Sequence, residues 1–113
     1  MKHPLQVMME NRRAGIRCGI PSYCSANELV LEIALRRAKV LNKPVLIEAT
    51  ANQVNQFGGY TGMMPKDFYN MVLNMAKAID LPENMVILAG DHLGPLTWQK
   101  LPLRARISLL TKH

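Results

Sequence analysis

Residues 47–63 read IEATANQVNQFGGYTGM. The segment continues an apolar run, Val45 to Ile47, that predicts a buried strand, and then changes to amides, glycines and two aromatic residues. Connections between a strand and a helix usually take about 2–6 residues, whereas this one extends from Thr50 to Met64. A long polar loop at the end of a strand is a common place for functional residues. We therefore expect the functional site at this end of the strand.

Strand and helix patterns alternate on both sides of that segment. Residues 16–23 predict a first strand, and Ser25 to Glu28 form a capping-box pattern that opens a helix running to Leu41. Pro65 opens a second helix, and residues 85–89 predict a third buried strand. The predicted buried stripes are Ala26, Leu29, Val30, Ile33, Val40 and Leu41 in the first helix, and Phe68, Met71, Val72, Met75 and Ile79 in the second. The order β-α-β-α-β predicts an α/β fold with parallel strands and right-handed crossovers.

Composition narrows the classes of partner. The chain has 113 residues, enough for one small domain, and its formal charge of +6 lies at its two ends. Residues 1–43 carry a net charge of +5 and residues 101–113 carry +3, whereas residues 44–100 carry −2. We expect no nucleic-acid partner, because the basic residues lack interleaved aromatics and a nucleic-acid motif. We expect no membrane partner, because no apolar run approaches about 18 residues.

The two cysteines, Cys18 and Cys24, indicate a reduced, cytoplasmic protein, and we predict both as thiols of the core. The continuous apolar run of the second strand predicts that both of its faces are covered. A short helix is predicted over residues 5–13, ending at Gly15.

The long loop supplies the candidate binding groups. Four of its side chains offer paired donors and acceptors, which suit sugar hydroxyls and equally suit the loop's own backbone: Asn52, Gln53, Asn55 and Gln56. The pair Gly58-Gly59 is a candidate for admitting a phosphate to a nest of backbone amides. It lacks the spacing and the lysine of a phosphate-binding loop, so this signal is weak.

Residues 47–63, together with Gly-Asp-His-Leu-Gly-Pro at 90–95 and Trp98-Gln99, resemble the non-catalytic subunit of class II D-tagatose-1,6-bisphosphate aldolase. The Cys-Ser-Ala sequence at 24–26 supports the resemblance, which covers roughly residues 10–102. Ala51 and Ala89 depart from it where the family usually has serine and glycine. The resemblance implies an aldolase-type (βα)8 TIM barrel, of which this chain holds an incomplete N-terminal β-α-β-α-β portion.

The same resemblance implies a partner and a pathway. The family's chain acts beside a zinc-dependent catalytic subunit that cleaves tagatose bisphosphate into glyceraldehyde 3-phosphate and dihydroxyacetone phosphate. An accessory subunit of this kind supports the activity and stability of its partner in the catabolism of galactitol, N-acetylgalactosamine or tagatose. We expect the zinc in the partner and no cofactor in this chain, with sugar phosphate as a candidate ligand.

The catalytic candidates in this chain are Asp91, His92 and Glu48. An Asp-His step at a strand end resembles the class II aldolase arrangement, in which histidine binds zinc and aspartate moves a proton. A catalytic zinc needs about three protein ligands, and the other histidines, His3 and His113, lie at the two termini. We therefore predict no metal site assembled from this chain, keep His92 as the one metal candidate, and favour a structural hydrogen-bonded Asp-His pair. For Glu48 a substrate role and a structural hydrogen bond to neighbouring amides remain open.

Three hypotheses follow for the function. The first is the accessory aldolase subunit, and the second is a sugar-phosphate aldolase-like barrel enzyme that acts alone through Asp91, His92 and Glu48. The third is an inactive truncated fragment, because three strands cannot close a barrel and leave unpaired edges. We divide the chain into a barrel portion, residues 1–102, and a basic tail, residues 103–113, that does not match the family and suggests a frameshift or truncation.

Overall fold

The computed structural model describes residues 1–110, so residues 111–113 of the predicted tail, with His113, lie outside the described residues. The elements, in order, are α1 (Pro4–Arg13), β1 (Ser22–Cys24), α2 (Glu28–Leu41), β2 (Val45–Thr50), α3 (Pro65–Ala78), β3 (Val86–Asp91) and α4 (Leu103–Leu110). Short 3-10 turns span Glu83–Met85 and Pro95–Trp98. Within residues 1–110 no helix combines the length and apolar character that a membrane crossing demands.

The three strands form one parallel sheet in the order β1-β2-β3, which confirms the predicted β-α-β-α-β succession. Tyr23 lies beside Ile47 across the first pair, and Thr50 lies beside Asp91 across the second. Because all strands run the same way, their carboxyl ends meet at one edge of the sheet. The long loop and the segment after β3 both leave from this edge.

Helices α2 and α3 cover one face of the sheet. On that face Val45, Ile47 and Ala49 are buried, whereas the alternate residues of β2 are only half-buried. The expectation that both faces of β2 are covered is therefore wrong for the part of the chain that the structure describes. A parallel strand becomes apolar on both faces only where both faces are packed, and here Glu48 and Thr50 already mark the other face as polar.

Strand β1 is shorter than predicted, since it spans Ser22–Cys24 and not residues 16–23. Pro21 has no N–H to donate, so it lies just outside the strand, and its carbonyl accepts a hydrogen bond from Leu46 N at 3.1 Å. Ile16, predicted to belong to the strand, is 54% exposed.

The start and the buried stripe of α2 also differ from the prediction. Its N-cap is Asn27, whose side chain accepts a hydrogen bond from Val30 N, while the Ser25 hydroxyl accepts one from Asn27 N. The buried residues are Leu31, Ala34, Leu35 and Ala38. Of the predicted stripe, five residues are exposed: Leu29, Val30, Ile33, Val40 and Leu41. The helix carries two apolar stripes at helical spacing. The stripe that faces the sheet alternates leucine with the smaller alanine: Leu31, Ala34, Leu35 and Ala38.

Helix α3 follows its prediction closely. It begins at Pro65, and the Asp67 carboxylate accepts a hydrogen bond from Met64 N at 2.9 Å. Phe68 and Val72 are buried, and Met71, Met75 and Ile79 pack against the core cluster. The methionine-rich face is therefore core, as predicted.

Candidate functional site

Polar side chains gather on the sheet face that the helices leave open, near the carboxyl ends of all three strands. The register places Cys24 of β1 beside Glu48 of β2, and Asp91 ends β3. The Ser22 hydroxyl donates a hydrogen bond to Glu48 Oε1. The Cys24 thiol donates to Asp91 Oδ2 at 3.4 Å, from a strand that is not adjacent to β3. We call these four residues and His92 the open-face cluster.

Two of the predicted candidates, Glu48 and Asp91, thus share one face of the sheet and one end of it. Glu48 is half-buried and accepts a hydrogen bond from the Ser22 hydroxyl, while the choice between a substrate role and a structural role for its carboxylate stays open. Sequence reasoning assigned no role to Ser22 or Cys24 in this site. The signal was available, because alternate residues of one strand face the same way: Ser22 lies in the predicted strand and Cys24 continues the same alternation one residue beyond its predicted end.

The predicted pair of Asp91 and His92 is hydrogen-bonded, but not through the imidazole ring. His92 Nε2 lies 3.6 Å from Asp91 Oδ2, beyond hydrogen-bond range, and the His92 side chain is 68% exposed. The bond forms instead from the backbone, since His92 N donates to Asp91 Oδ1 at 2.9 Å. With a φ of 51°, His92 adopts the left-handed conformation that turns its side chain out of line with the strand.

The electrostatics of the cluster act on Cys24. The pKa of its thiol is raised, first by partial burial, then by the hydrogen bond to and the charge of Asp91, and then by the charge of Glu48. At neutral pH Cys24 is therefore a protonated donor. The prediction of two core thiols is wrong for Cys24, which is exposed, while Cys18 is half-buried and donates to Met8 O at 3.5 Å.

The amide side chains of the long loop make bonds within the loop. Asn55 Nδ2 donates to Ala51 O at 2.7 Å, and Asn55 Oδ1 accepts from Phe57 N at 2.8 Å and from Gly59 N at 3.2 Å. Gln53 Oε1 accepts from Thr50 N at 2.9 Å. These bonds satisfy the backbone of a turn-rich segment. A sugar-binding role for Asn52, Gln53, Asn55 and Gln56 stays a prediction.

Gly58 and Gly59 adopt positive φ values of 99° and 57°. Their amides already donate within the loop, Gly58 N to Asn55 O at 2.9 Å and Gly59 N to Asn55 Oδ1. A Cβ on Gly59 would overlap the carbonyl of Gln53. The pair therefore closes the loop on itself, and its candidate role in holding a phosphate stays a prediction.

A cavity of about 620 Å³ lies on the helix side of the sheet, below the loop. Its lining includes Ala49, Phe68, Leu88 and Trp98, with Asn55 and Gln56 as polar members. The Trp98 ring meets Phe57 edge to face, with the ring centroids 6.4 Å apart. Trp98 therefore packs against Phe57, and the cavity is separate from the open-face cluster because the sheet lies between them.

The described residues do not fit a zinc site. Nowhere in residues 1–110 do three histidine, cysteine or carboxylate side chains come together in an arrangement that would hold a metal ion. No step through zinc is assigned to this chain.

Two comparisons bear on identity. The sequence profile of a protein family described as D-tagatose-1,6-bisphosphate aldolase subunit GatZ/KbaZ-like matches residues 5–109. The matched range extends beyond residue 102, where we predicted a boundary between the barrel portion and the tail. That boundary stays a prediction. The chain also superimposes on the crystal structure of a probable tagatose 6 phosphate kinase from Sinorhizobium meliloti 1021, with a TM-score of 0.79 and 52% sequence identity. This similarity covers 82% of the chain but 24% of that protein, so the chain spans about a quarter of its length.

Proposed function

Because the chain belongs to the GatZ/KbaZ-like family of D-tagatose-1,6-bisphosphate aldolase subunits, we propose that it is the accessory, non-catalytic kind of subunit. In this role it supports the activity and stability of a separate zinc-dependent catalytic subunit in the cytoplasm, in the catabolism of galactitol, N-acetylgalactosamine or tagatose. The family match over residues 5–109 is the observation that carries the proposal. The description of the Sinorhizobium protein also names a phosphorylated tagatose.

We also propose that the three strands are a portion of a (βα)8 barrel. Strands of consecutive number lie side by side and parallel, with helices on one face, which is the repeating unit of such a barrel. The Cys24 thiol reaches Asp91 across an intervening strand at 3.4 Å. Two strand spacings amount to about 9.6 Å in a flat sheet, so this contact favours a sheet that is concave on its polar face. A barrel interior has that curvature.

The chemistry of the open-face cluster agrees better with binding than with catalysis. Glu48 accepts from Ser22, and Asp91 accepts from Cys24 and from a backbone amide. Carboxylates held by donors in this way remain acceptors for further hydroxyl groups, such as those of a sugar phosphate. A general base, in contrast, needs to be free to take a proton.

An enzyme that acts alone is the second candidate, because Glu48, Asp91 and His92 do lie at one end of one sheet face. Aldol cleavage of tagatose 1,6-bisphosphate separates the two. We expect no turnover by this chain, and a higher rate or a longer active half-life of the catalytic subunit when the chain is added. Zinc-dependent turnover by the chain alone would overturn the accessory role.

Matched variants sharpen that assay. Asp91→Asn changes the cluster, while Asp80→Asn makes the same chemical change at an exposed residue between α3 and β3, at the other end of the sheet. If support of the partner depends on the cluster, only the first variant weakens it. A chain without effect on the partner in any form, and without a cooperative melt by circular dichroism, would instead be the inactive fragment.

A further inference from the structure

The outward side of α2 carries three large apolar side chains, beside the exposed Arg36, that nothing within residues 1–110 covers. Leu29 is 65% exposed, Ile33 59% and Val40 76%. At 3.6 residues per turn these three side chains fall within about 40° of one another around the helix. The buried residues, Leu31, Ala34, Leu35 and Ala38, lie on the opposite side. We call Leu29, Ile33 and Val40 the outer stripe.

The position of the outer stripe limits what can cover it. A helix that packs on a sheet has neighbouring helices at its flanks, and α3 occupies one flank, where Lys39 Nζ donates to the carbonyl of Ile79. The outer stripe points directly away from the sheet. Further strands and helices added beside β1 or β3 would meet the flanks of α2 and leave the outer stripe open. Scattered surface hydrophobics are ordinary, but a row of large ones on a single helix face marks an interaction surface.

The charges along α2 indicate which partner fits. Acidic residues lie in its first half, Glu28 and Glu32, and basic residues in its second half, Arg36, Arg37 and Lys39. Two copies of such a helix that pack antiparallel place the acidic half of each against the basic half of the other. A two-fold axis between Ala34 and Leu35 brings Leu29 of one copy opposite Val40 of the other. The same axis brings Glu32 of each copy close to Arg36 of the other, beside its own Arg36, which it contacts at 2.7 Å.

We propose that the outer stripe of α2 is a docking surface for a second copy of this chain, in an antiparallel two-fold pairing of α2 with α2. An isologous contact needs a surface that complements itself, and α2 meets this in both its apolar row and its charges. One helix pair buries less than the roughly 1,200 Å² of a stable interface. We therefore expect a weak, reversible dimer.

Sedimentation velocity of the full chain over a wide concentration range tests the proposal. We expect a reversible shift from monomer to dimer that saturates at twice the chain mass. Ile33→Glu places a charge in the centre of the stripe and should weaken dimerisation about tenfold or more. The matched control is Val7→Glu, the same change at a residue of α1 that is 41% exposed, and it should leave dimerisation unchanged.

A charge exchange tests the antiparallel geometry. Glu32→Arg alone should weaken the dimer, and adding Arg36→Glu should restore it, since the exchanged pair is again complementary within and between copies. Circular dichroism melts of each variant check that α2 still folds.

A chain that stays monomeric at all concentrations would overturn the proposal and leave the stripe to a different partner. Open-ended association that Ile33→Glu does not reduce would also overturn it, because exposed sheet edges would then be the cause. The experiment contains no catalytic aldolase subunit. A negative result would therefore overturn the dimer without bearing on the proposed accessory function.

Discussion

The two faces of the β1-β2-β3 sheet belong to the same strands but differ in burial and polarity. On the helix face Val45 and Ile47 are 1% and 0% exposed and lie in the core cluster. On the other face Glu48 and Cys24 are held by single hydrogen bonds and remain in contact with solvent. Ile87 of β3, which pairs with Leu46 on this second face, is 8% exposed. The difference shows that most of the apolar packing lies on the helix face, while the other face carries polar groups toward its carboxyl end.

The largest effect should come from the helix face. Ile47→Ala removes a fully buried side chain between the sheet and its helices and should lower the free energy of unfolding by about 3 kcal/mol. The matched control is Leu46→Ala on the open face, where the half-buried side chain contributes about 1 kcal/mol. Urea denaturation followed by circular dichroism measures both. Equal losses would mean that the open face is packed in solution, and the contrast between the faces would fail.

This contrast also decides how much of the fold the sequence could predict. Helix α3 has one apolar stripe, and its prediction was right at Phe68 and Val72. Helix α2 has two stripes at the same spacing, so periodicity alone could not choose between Leu31 with Leu35 and Leu29 with Ile33. Small side chains such as those of Ala34 and Ala38 allow a helix to approach a sheet closely, and the stripe that contains them is the one that is buried.

The candidate site was predictable in position but not in its bonding. The strand order places Glu48 and Asp91 at one edge of the sheet, because parallel strands end together. Whether Asp91 bonds His92 through its ring or its backbone depends on a single φ angle, 51° at His92. The contact from Cys24 to Asp91 depends on the curvature of the sheet. Neither quantity is encoded in the spacing of residues.

A second prediction tests how tightly the long loop packs around Gly59. Gly59 has a φ of 57°, and a Cβ there would overlap the Gln53 carbonyl, so Gly59→Ala should cost about 2 kcal/mol of stability. Gly62 has a φ of 77° with open space around it, so Gly62→Ala should cost about 1 kcal/mol, from backbone strain alone. Thermal melts of the two variants give the difference. Equal costs would contradict the tight closure of the loop.

A third prediction concerns the open face. Asp91→Asn removes both the charge and the anionic acceptor that raise the pKa of Cys24, so the pKa should fall. Alkylation by iodoacetamide at mildly alkaline pH should then become severalfold faster, because the thiolate is the nucleophile. Glu48→Gln is the control. It should raise the alkylation rate less, because the charge of Glu48 is the smallest of the causes that raise the pKa of Cys24. A Cys18→Ser background leaves Cys24 as the one thiol that reacts.

The same raised pKa makes stability depend on pH with a defined sign. The folded chain holds the Cys24 proton more tightly than the unfolded chain, so stability is fully present below the unfolded thiol pKa, about 8.5. It declines as the pH rises from there through the raised folded pKa. Cys24→Ser should flatten this decline. The pKa of Tyr69 is also raised, by the charge and the hydrogen bond of Glu83. Tyr69 contributes equally to the pH dependence of the unmodified chain and of the Cys24→Ser variant, so the difference between their two stability curves isolates Cys24.

The smallest effect should come from the hydrogen bond between Ser22 and Glu48. Both groups reach solvent, so water replaces the lost donor in Ser22→Ala, and the cost should be about 0.5 kcal/mol. Ser25→Ala is the matched control, because it makes the same substitution just after β1, where the hydroxyl accepts a hydrogen bond from Asn27 N and does not bond the Glu48 carboxylate. If Ser22→Ala instead costs about 2 kcal/mol, Glu48 is left buried without a donor. That result would mean that the open face is covered in solution, and the contrast between the two faces of the sheet would fail.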